Sequence, residues 1–216
     1  MPSLHATKPI PMPGRLPDPS FRAILGEFAW RRLPHAVRQR FAWKPAPGSA
    51  IVYGGSMREV RATRIGRLAA QLCRLVGTPI APDRGTDVQV TVRLSLDGDA
   101  NGVVWERIYH FPGRVPVRCA SVKKVVDGGL VEVVGRRIGM RLELGERQGE
   151  LHFRSAGYFW QARRQRVALP NWLAPGEMHV VHADLGAGRF RFRLSLTHRL
   201  FGEILYQDGI FAAEGS

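Results

Sequence analysis

The chain has 216 residues, enough for one hydrophobic core and short for two full ones. Its 44% hydrophobic and 23% charged content is that of an ordinary globular domain and excludes wholesale disorder; no apolar run nears the roughly eighteen residues that cross a bilayer. A net charge of +14 invites a nucleic-acid role, but 28 of the 32 basic residues are arginine, they are scattered along the chain, and nucleic acid is not an expected partner.

Residues 1–20 hold six prolines and little that can be buried, so they read as a flexible arm ahead of a single β-rich domain over 21–216. The arm has no apolar stretch of the secretory kind, and the expected compartment is the cytoplasm. Phe21, Ile24, Leu25 and Phe28 recur at helical spacing, with Ser20 as a cap. Pro34 interrupts the pattern, which predicts two short helices over Phe21–Phe41. Residues 44–49 read as a loop. Ser49 to Ala62 reads as a strand with a kink at Gly54-Gly55. In Arg64–Val76 the stripe Ile65, Leu68, Ala69, Leu72, Cys73 and Val76 predicts a covering helix, ended by Gly77 and Pro79.

Beyond Pro82 the pattern is β throughout. Val88, Val90, Val92, Leu94 and Leu96 alternate with polar residues, the mark of a half-buried strand. Strands follow at Val103–Phe111, Val115–Val126, Leu130–Val134, Ile138–Leu144, Leu151–Arg163, Met178–Leu185, Arg189–Thr197 and Glu203–Phe211. Asp127-Gly128-Gly129 is a hairpin signal between two of them. A loop, Leu169 to Gly176, contains Trp172. Short turns favour antiparallel neighbours, and one helix cannot cover both faces of so large a sheet. The fold expected is mainly β: a large curled antiparallel sheet or incomplete lipocalin-like barrel of about nine or ten strands. A short helical N-terminus and one covering helix complete it, and the apolar faces wrap inward around a core or a cavity.

The chain lacks GxGxxG, Walker A, HExxH, GxSxG and EF-hand motifs. Cys73 and Cys119 form no CxxC pair, and His179 and His182 fall on opposite faces of a regular strand, so no metal site is expected. His182 shares the face of Met178 and Val180, which makes it a pocket candidate. Trp105, Arg107 and Tyr109 share one strand face. An Arg among aromatics needs a partner if buried, and Glu132, between Leu130 and Val134, is a candidate. Such a pair could anchor a polar ligand group or tune an acid, or it could be structural. Tyr158 and Tyr206 have the apolar body and polar tip that suit a cavity wall, and suit an ordinary sheet surface equally. Tyr158 and Trp160 are read as sharing a face with His152 and Arg154. An outer stripe of Arg93, Arg141, Arg189, Arg191 and Arg193 is what a nucleic-acid surface would use.

The order of several short motifs carries a family resemblance. They are Leu33-Pro34 with Ala36-Val37-Arg38; Gly54 and Met57 before Val60; Leu75-Val76-Gly77-Thr78-Pro79; Trp105-Glu106-Arg107; and Gly129-Leu130-Val131-Glu132 with Gly135. Arg189-Phe190-Arg191-Phe192 and Phe201-Gly202-Glu203-Ile204-Leu205-Tyr206-Gln207-Asp208-Gly209 complete the series. Over roughly residues 21 to 213 the chain resembles a bacterial family, domain of unknown function 4166. The resemblance implies no known activity. Members occur alone or fused behind saccharopine-dehydrogenase-like NAD(P) oxidoreductase domains, so it implies a separate oxidoreductase as a conceivable partner.

The functional expectation is binding of a hydrophobic small molecule or lipid in the cavity, with no cofactor. Trp105, Arg107, Tyr109, Glu132, Tyr158, His182 and Tyr206 are the candidate ligand contacts. The alternative is a cofactor-independent enzyme, an isomerase, cyclase or hydrolase using the same cavity. It needs Arg107, Glu132 and His182 or Tyr206 within hydrogen-bond reach of one another.

Overall fold

A computed structural model describes residues 13–68, 84–98, 102–135, 138–162, 165–170 and 172–214. The N-terminal region holds three short helices, α1 (Ser20–Leu25), α2 (Glu27–Arg32) and α3 (His35–Phe41). The pattern foretold two; a second break, at Gly26, divides the first of them. Ser20 is not the cap: it is the first helical residue, and its backbone N–H donates to the Asp18 carboxylate at 3.0 Å. Strands β1 (Arg15–Pro17) and β2 (Trp43–Pro45) pair on either side of the helices. They fall in segments read from sequence as arm and loop, where three residues are too few to show an alternation.

Ten strands then form a closed antiparallel barrel. In chain order they are β3 (Ile51–Ala62), β4 (Gly85–Leu96), β5 (Gly102–His110), β6 (Val117–Val126), β7 (Gly129–Val134), β8 (Ile138–Arg147), β9 (Glu150–Ala162), β11 (Glu177–Gly186), β12 (Arg189–His198) and β13 (Gly202–Ala213). Each pairs with the next, and β13 pairs with β3 to complete the ring. The extra strand, β10 (Gln165–Ala168), is fully exposed and pairs only with the outer half of β9. The inner half of β9 pairs with β11, over His179–Arg154 to His182–Leu151. Closure answers the problem posed by too many one-sided strands: the apolar faces meet one another and no long edge is left bare.

β3 runs unbroken through Gly54-Gly55; a Cβ at Gly55 would stand 2.2 Å from the Ile210 carbonyl oxygen and 2.5 Å from a ring carbon of Phe211, so glycine makes room for the close approach of β13. Residues 64–68 are helical, with the Thr63 hydroxyl accepting from Gly66 N–H at 3.0 Å. The rest of the helix expected over Arg64–Val76, with Cys73, lies outside the described residues.

The two ends of the barrel differ. At the end of the β8–β9 and β11–β12 turns, the helices close the lumen. Val37 and Phe41 are buried, Arg32 of α2 pairs with Glu146 at 2.7 Å, and Phe41 meets the rings of Phe153 and Trp105. At the opposite end lie the β5–β6 and β12–β13 turns and the loop 172–176 that leads into β11. Here large apolar side chains are exposed: Val115, Trp172, Leu173, Leu200 and Phe201. No helix among the described residues is long and apolar enough to cross a membrane.

Candidate functional site

The inward faces and the helical cap enclose a cavity of about 240 Å³. At ~30 Å³ each it has room for roughly eight water-sized groups. Its wall is mostly aliphatic and aromatic, including Met140, Phe153, Val180, Phe190, Leu194 and Leu196. Leu169, Leu173 and Pro175 roof it at the end away from the helices. Leu173 is also 54% exposed, so the cavity meets the surface beneath this loop.

Strict alternation along β5 turns Trp105, Arg107 and Tyr109 inward together. Glu132 stands two strands along the same wall on β7, and Tyr158 on β9 and His182 on β11 line the lumen farther round the ring. Six of the seven sequence candidates therefore line one cavity. Tyr206 does not. Leu205, Gln207 and Phe211 take the inner face of β13, so a period of two places Tyr206 outside, where the Arg61 guanidinium lies 5.0 Å from its ring centre.

Tyr158 reaches the interior by a route that alternation does not give. Leu142 pairs with Ser155 but Met140 pairs with Tyr158, so β9 carries one extra residue at this point. Gly157 adopts φ 105° in the bulge. The parity of β9 flips there: Leu151 and Phe153 point inward before it, Tyr158 after it. Tyr158 thus does not share the face of His152 and Arg154, as a regular strand would require. Its hydroxyl donates to the Gly176 carbonyl at 2.8 Å and ties β9 to the roofing loop.

A charged cluster sits within these apolar walls. Glu132 is 4% exposed, and its Oε1 accepts from Lys123 Nζ at 2.9 Å and from Ser121 Oγ at 2.5 Å. The expected Arg107–Glu132 pair is corrected in this respect: the close partner is Lys123, which stands opposite Glu132 in the β6–β7 register. Lys123 Nζ also lies 4.7 Å from the ring centre of Trp105. Burial works against ionisation of Glu132, but the fields of Lys123 and Arg107 with the Ser121 hydrogen bond outweigh it and hold the carboxyl below its ordinary range. Burial, reinforced by Arg107, pulls the Lys123 ammonium down. Burial pushes the Tyr109 phenol up to about 12, so it stays neutral and donates to Gln207 Oε1 at 2.9 Å.

Arg107 has no such partner. It keeps some accessible surface although protein encloses it, because that surface is turned into the cavity. Its Nε is buried with no acceptor, and no close ion pair of Arg107 is found among the described residues. Arg40, from α3, is the third cation on the wall. Its guanidinium lies 3.7 Å from the centre of the Phe190 ring, and burial lowers its pKa to about 10.

His182 is 5% exposed and ringed by Phe41, Phe153, Phe190 and Phe192. Burial, and then the cations Arg40, Lys123 and Arg107, hold its pKa well below the ordinary value. It is a neutral imidazole, and it makes no hydrogen bond to Arg107 or Glu132. On the outer surface His152 Nδ1 and His179 Nε2 are 2.9 Å apart, and burial lowers both pKa values. Unfolding frees all three to bind protons near pH 6.5, so between that pH and their lower folded values the unfolded chain holds more protons. Stability is therefore present above about pH 6.5 and lost as the pH falls below it. Urea midpoints should decline over that window, and in His182→Phe the decline should be visibly shallower than in the parent. An equal slope in both would show that His182 does not drive it.

Among the described residues no group of three His, Cys, Asp or Glu side chains could hold a metal ion. The outer arginine stripe is partly neutralised. Arg191 makes a two-pronged pair with Asp208, both contacts 2.7 Å, and Arg193 binds both oxygens of Glu150 at 2.9 Å.

Sequence reasoning missed Lys123, Gln207 and Arg40. The first was within reach. A two-residue Asp127-Gly128 turn fixes the hairpin register, and counting back from it sets Lys123 against Glu132. Arg40 had no such signal, since only the docking of α3 brings it into the lumen.

A model of the family described as a domain of unknown function (DUF4166) matches residues 33–211. No curated protein matches the chain.

Proposed function

We propose that the chain, a member of the DUF4166 family, binds an apolar small molecule or lipid in its cavity. The observation that carries this reading is the cavity of about 240 Å³, walled by aliphatic and aromatic side chains in the middle of a closed barrel. A barrel of this kind can fill its lumen with side chains; space left between apolar walls with a few polar groups is the usual form of a ligand site. The exposed apolar residues Val115, Trp172, Leu200 and Phe201 on loops around the mouth support an apolar source for the ligand. We take the cytoplasm as the compartment.

Binding is favoured over catalysis within the same cavity because the groups that would pass a proton are not joined. His182 is neutral and makes no hydrogen bond to Arg107 or Glu132, and Glu132 is engaged by Lys123 and Ser121. The test is titration with the neutral fluorophore 1-naphthylamine, beside the cavity-filling variant Leu194→Trp. Saturable one-to-one binding is expected, weakened about tenfold or more in the variant while its melting temperature holds. Absence of binding, or equal binding in the variant, overturns the reading.

A further inference from the structure

Resting on that reading, we infer that the ligand is an amphiphile with a carboxylate head, which Arg107 receives in the middle of the barrel while the apolar tail runs beneath the roofing loop.

The first ground is charge. Among the described residues three cations line the cavity, Arg40, Arg107 and Lys123, against one carboxylate, Glu132. Lys123 is provided for, with Glu132 at 2.9 Å and the Trp105 ring; Arg40, at the helical cap, lies on the Phe190 ring in the fields of Tyr53 and Asp184, and its Nη1 is buried without an acceptor. Arg107, in mid-barrel, has no close ion pair among the described residues: the fields of Tyr109, Glu132 and Cys119 favour its charge against burial, but the near oxygen of Glu132 is occupied by Lys123 and Ser121. An arginine cannot shed its proton to escape such a site, unlike lysine or histidine. A buried cation left without an anion is costly, so the complement it lacks is an anion from outside the chain.

The second ground is shape. A guanidinium presents a planar fork that meets the two oxygens of a carboxylate in parallel bonds. The site has room for a small planar head of single charge. The neutral His182 and Tyr109 beside Arg107 add no second negative charge to repel it.

The third ground is position. Arg107 sits midway along β5, above Trp105 and the helical cap. From there toward the surface the wall carries Val134, Met140, Leu194, Leu196 and Leu173, with Tyr109 and Tyr158 beside them and no charged side chain among the described residues. A head at Arg107 leaves this apolar run for the tail, and the cavity volume suits an eight-carbon chain better than a long one.

Calorimetric titration with octanoate, 1-octanol and octylamine separates the possibilities. Octanoate should bind about tenfold or more tightly than octanol, the worth of one charge-assisted contact, and octylamine most weakly. Arg107→Met should erase the advantage of octanoate and leave octanol binding in place. That substitution also removes a buried unpaired charge, so it should fold; Arg107→Lys, which keeps the charge without the fork, should retain part of the preference. Equal affinities for octanoate and octanol would overturn the carboxylate assignment and leave the apolar-cavity reading standing. Preference for octylamine would overturn it in favour of Glu132 as the selector. If none of the three binds, both readings fall.

Discussion

Glu132→Ala is expected to destabilise the fold by about 3–5 kcal/mol, because it strips a lining carboxylate from a cavity that keeps its cations. Lys123 would stay enclosed without its anion, and Ser121 would lose its acceptor. The paired experiment is Glu132→Leu combined with Lys123→Met. Replacing a buried ion pair with apolar groups of similar volume is often close to neutral. The double variant should therefore recover most of what the single one loses. Urea unfolding of parent, single and double variants measures both quantities. Equal destabilisation in the single and double variants would mean that the Ser121 hydroxyl left without its acceptor, not the stranded ammonium, sets the cost.

Phe41→Ala should cost a similar amount, about 3–5 kcal/mol, for a different reason. Phe41 is 2% exposed and is the point where α3 locks into the lumen. Its ring lies 5.2 Å from that of Phe21, 5.8 Å from Phe153, 5.1 Å from His182 and 6.3 Å from Trp105. Truncation leaves a void against four rings and removes the plug at the helix-capped end. Besides the lower stability, amide exchange in α3 should accelerate more than in β12, on the other side of the lumen. Uniform acceleration would show that the helix and barrel unfold as one unit.

The strands were legible in the sequence because period-two alternation is strong wherever one face is wet. Arg189–Thr197 is the clearest case: Phe190, Phe192, Leu194 and Leu196 are all buried as the pattern demands. What the pattern could not carry is anything that breaks the period or crosses the barrel. Tyr158 reaches the interior only through the extra residue at the β9 bulge, and local alternation assigns it to the wrong face. Tyr206 is a clean consequence of alternation, but its aromatic character drew attention that Gln207, the residue beside it, held the better claim to. The partner of Glu132 depended on hairpin register rather than residue type: the register sets Lys123 of β6 directly opposite it, whereas Arg107, the expected partner, lies two strands away on β5. Short pieces such as β1, β2 and β10 have too few residues to display any period.

Closure of the ring has a kinetic meaning as well. The seam between β3 and β13 joins Thr63 to Ile204, 141 positions apart, whereas most other pairings join strands adjacent in sequence. Hairpins such as β6–β7 can form as soon as both strands exist, but the seam must wait for β13 and bear the entropy of a very long loop. Until it closes, β3 and β12 are bare edges, open to pairing with another chain. Synthesis and refolding should therefore pass through an open sheet in which Arg107 and Glu132 face solvent. The enclosed lumen, and any affinity that depends on it, arises in the last and slowest step, when β13 docks.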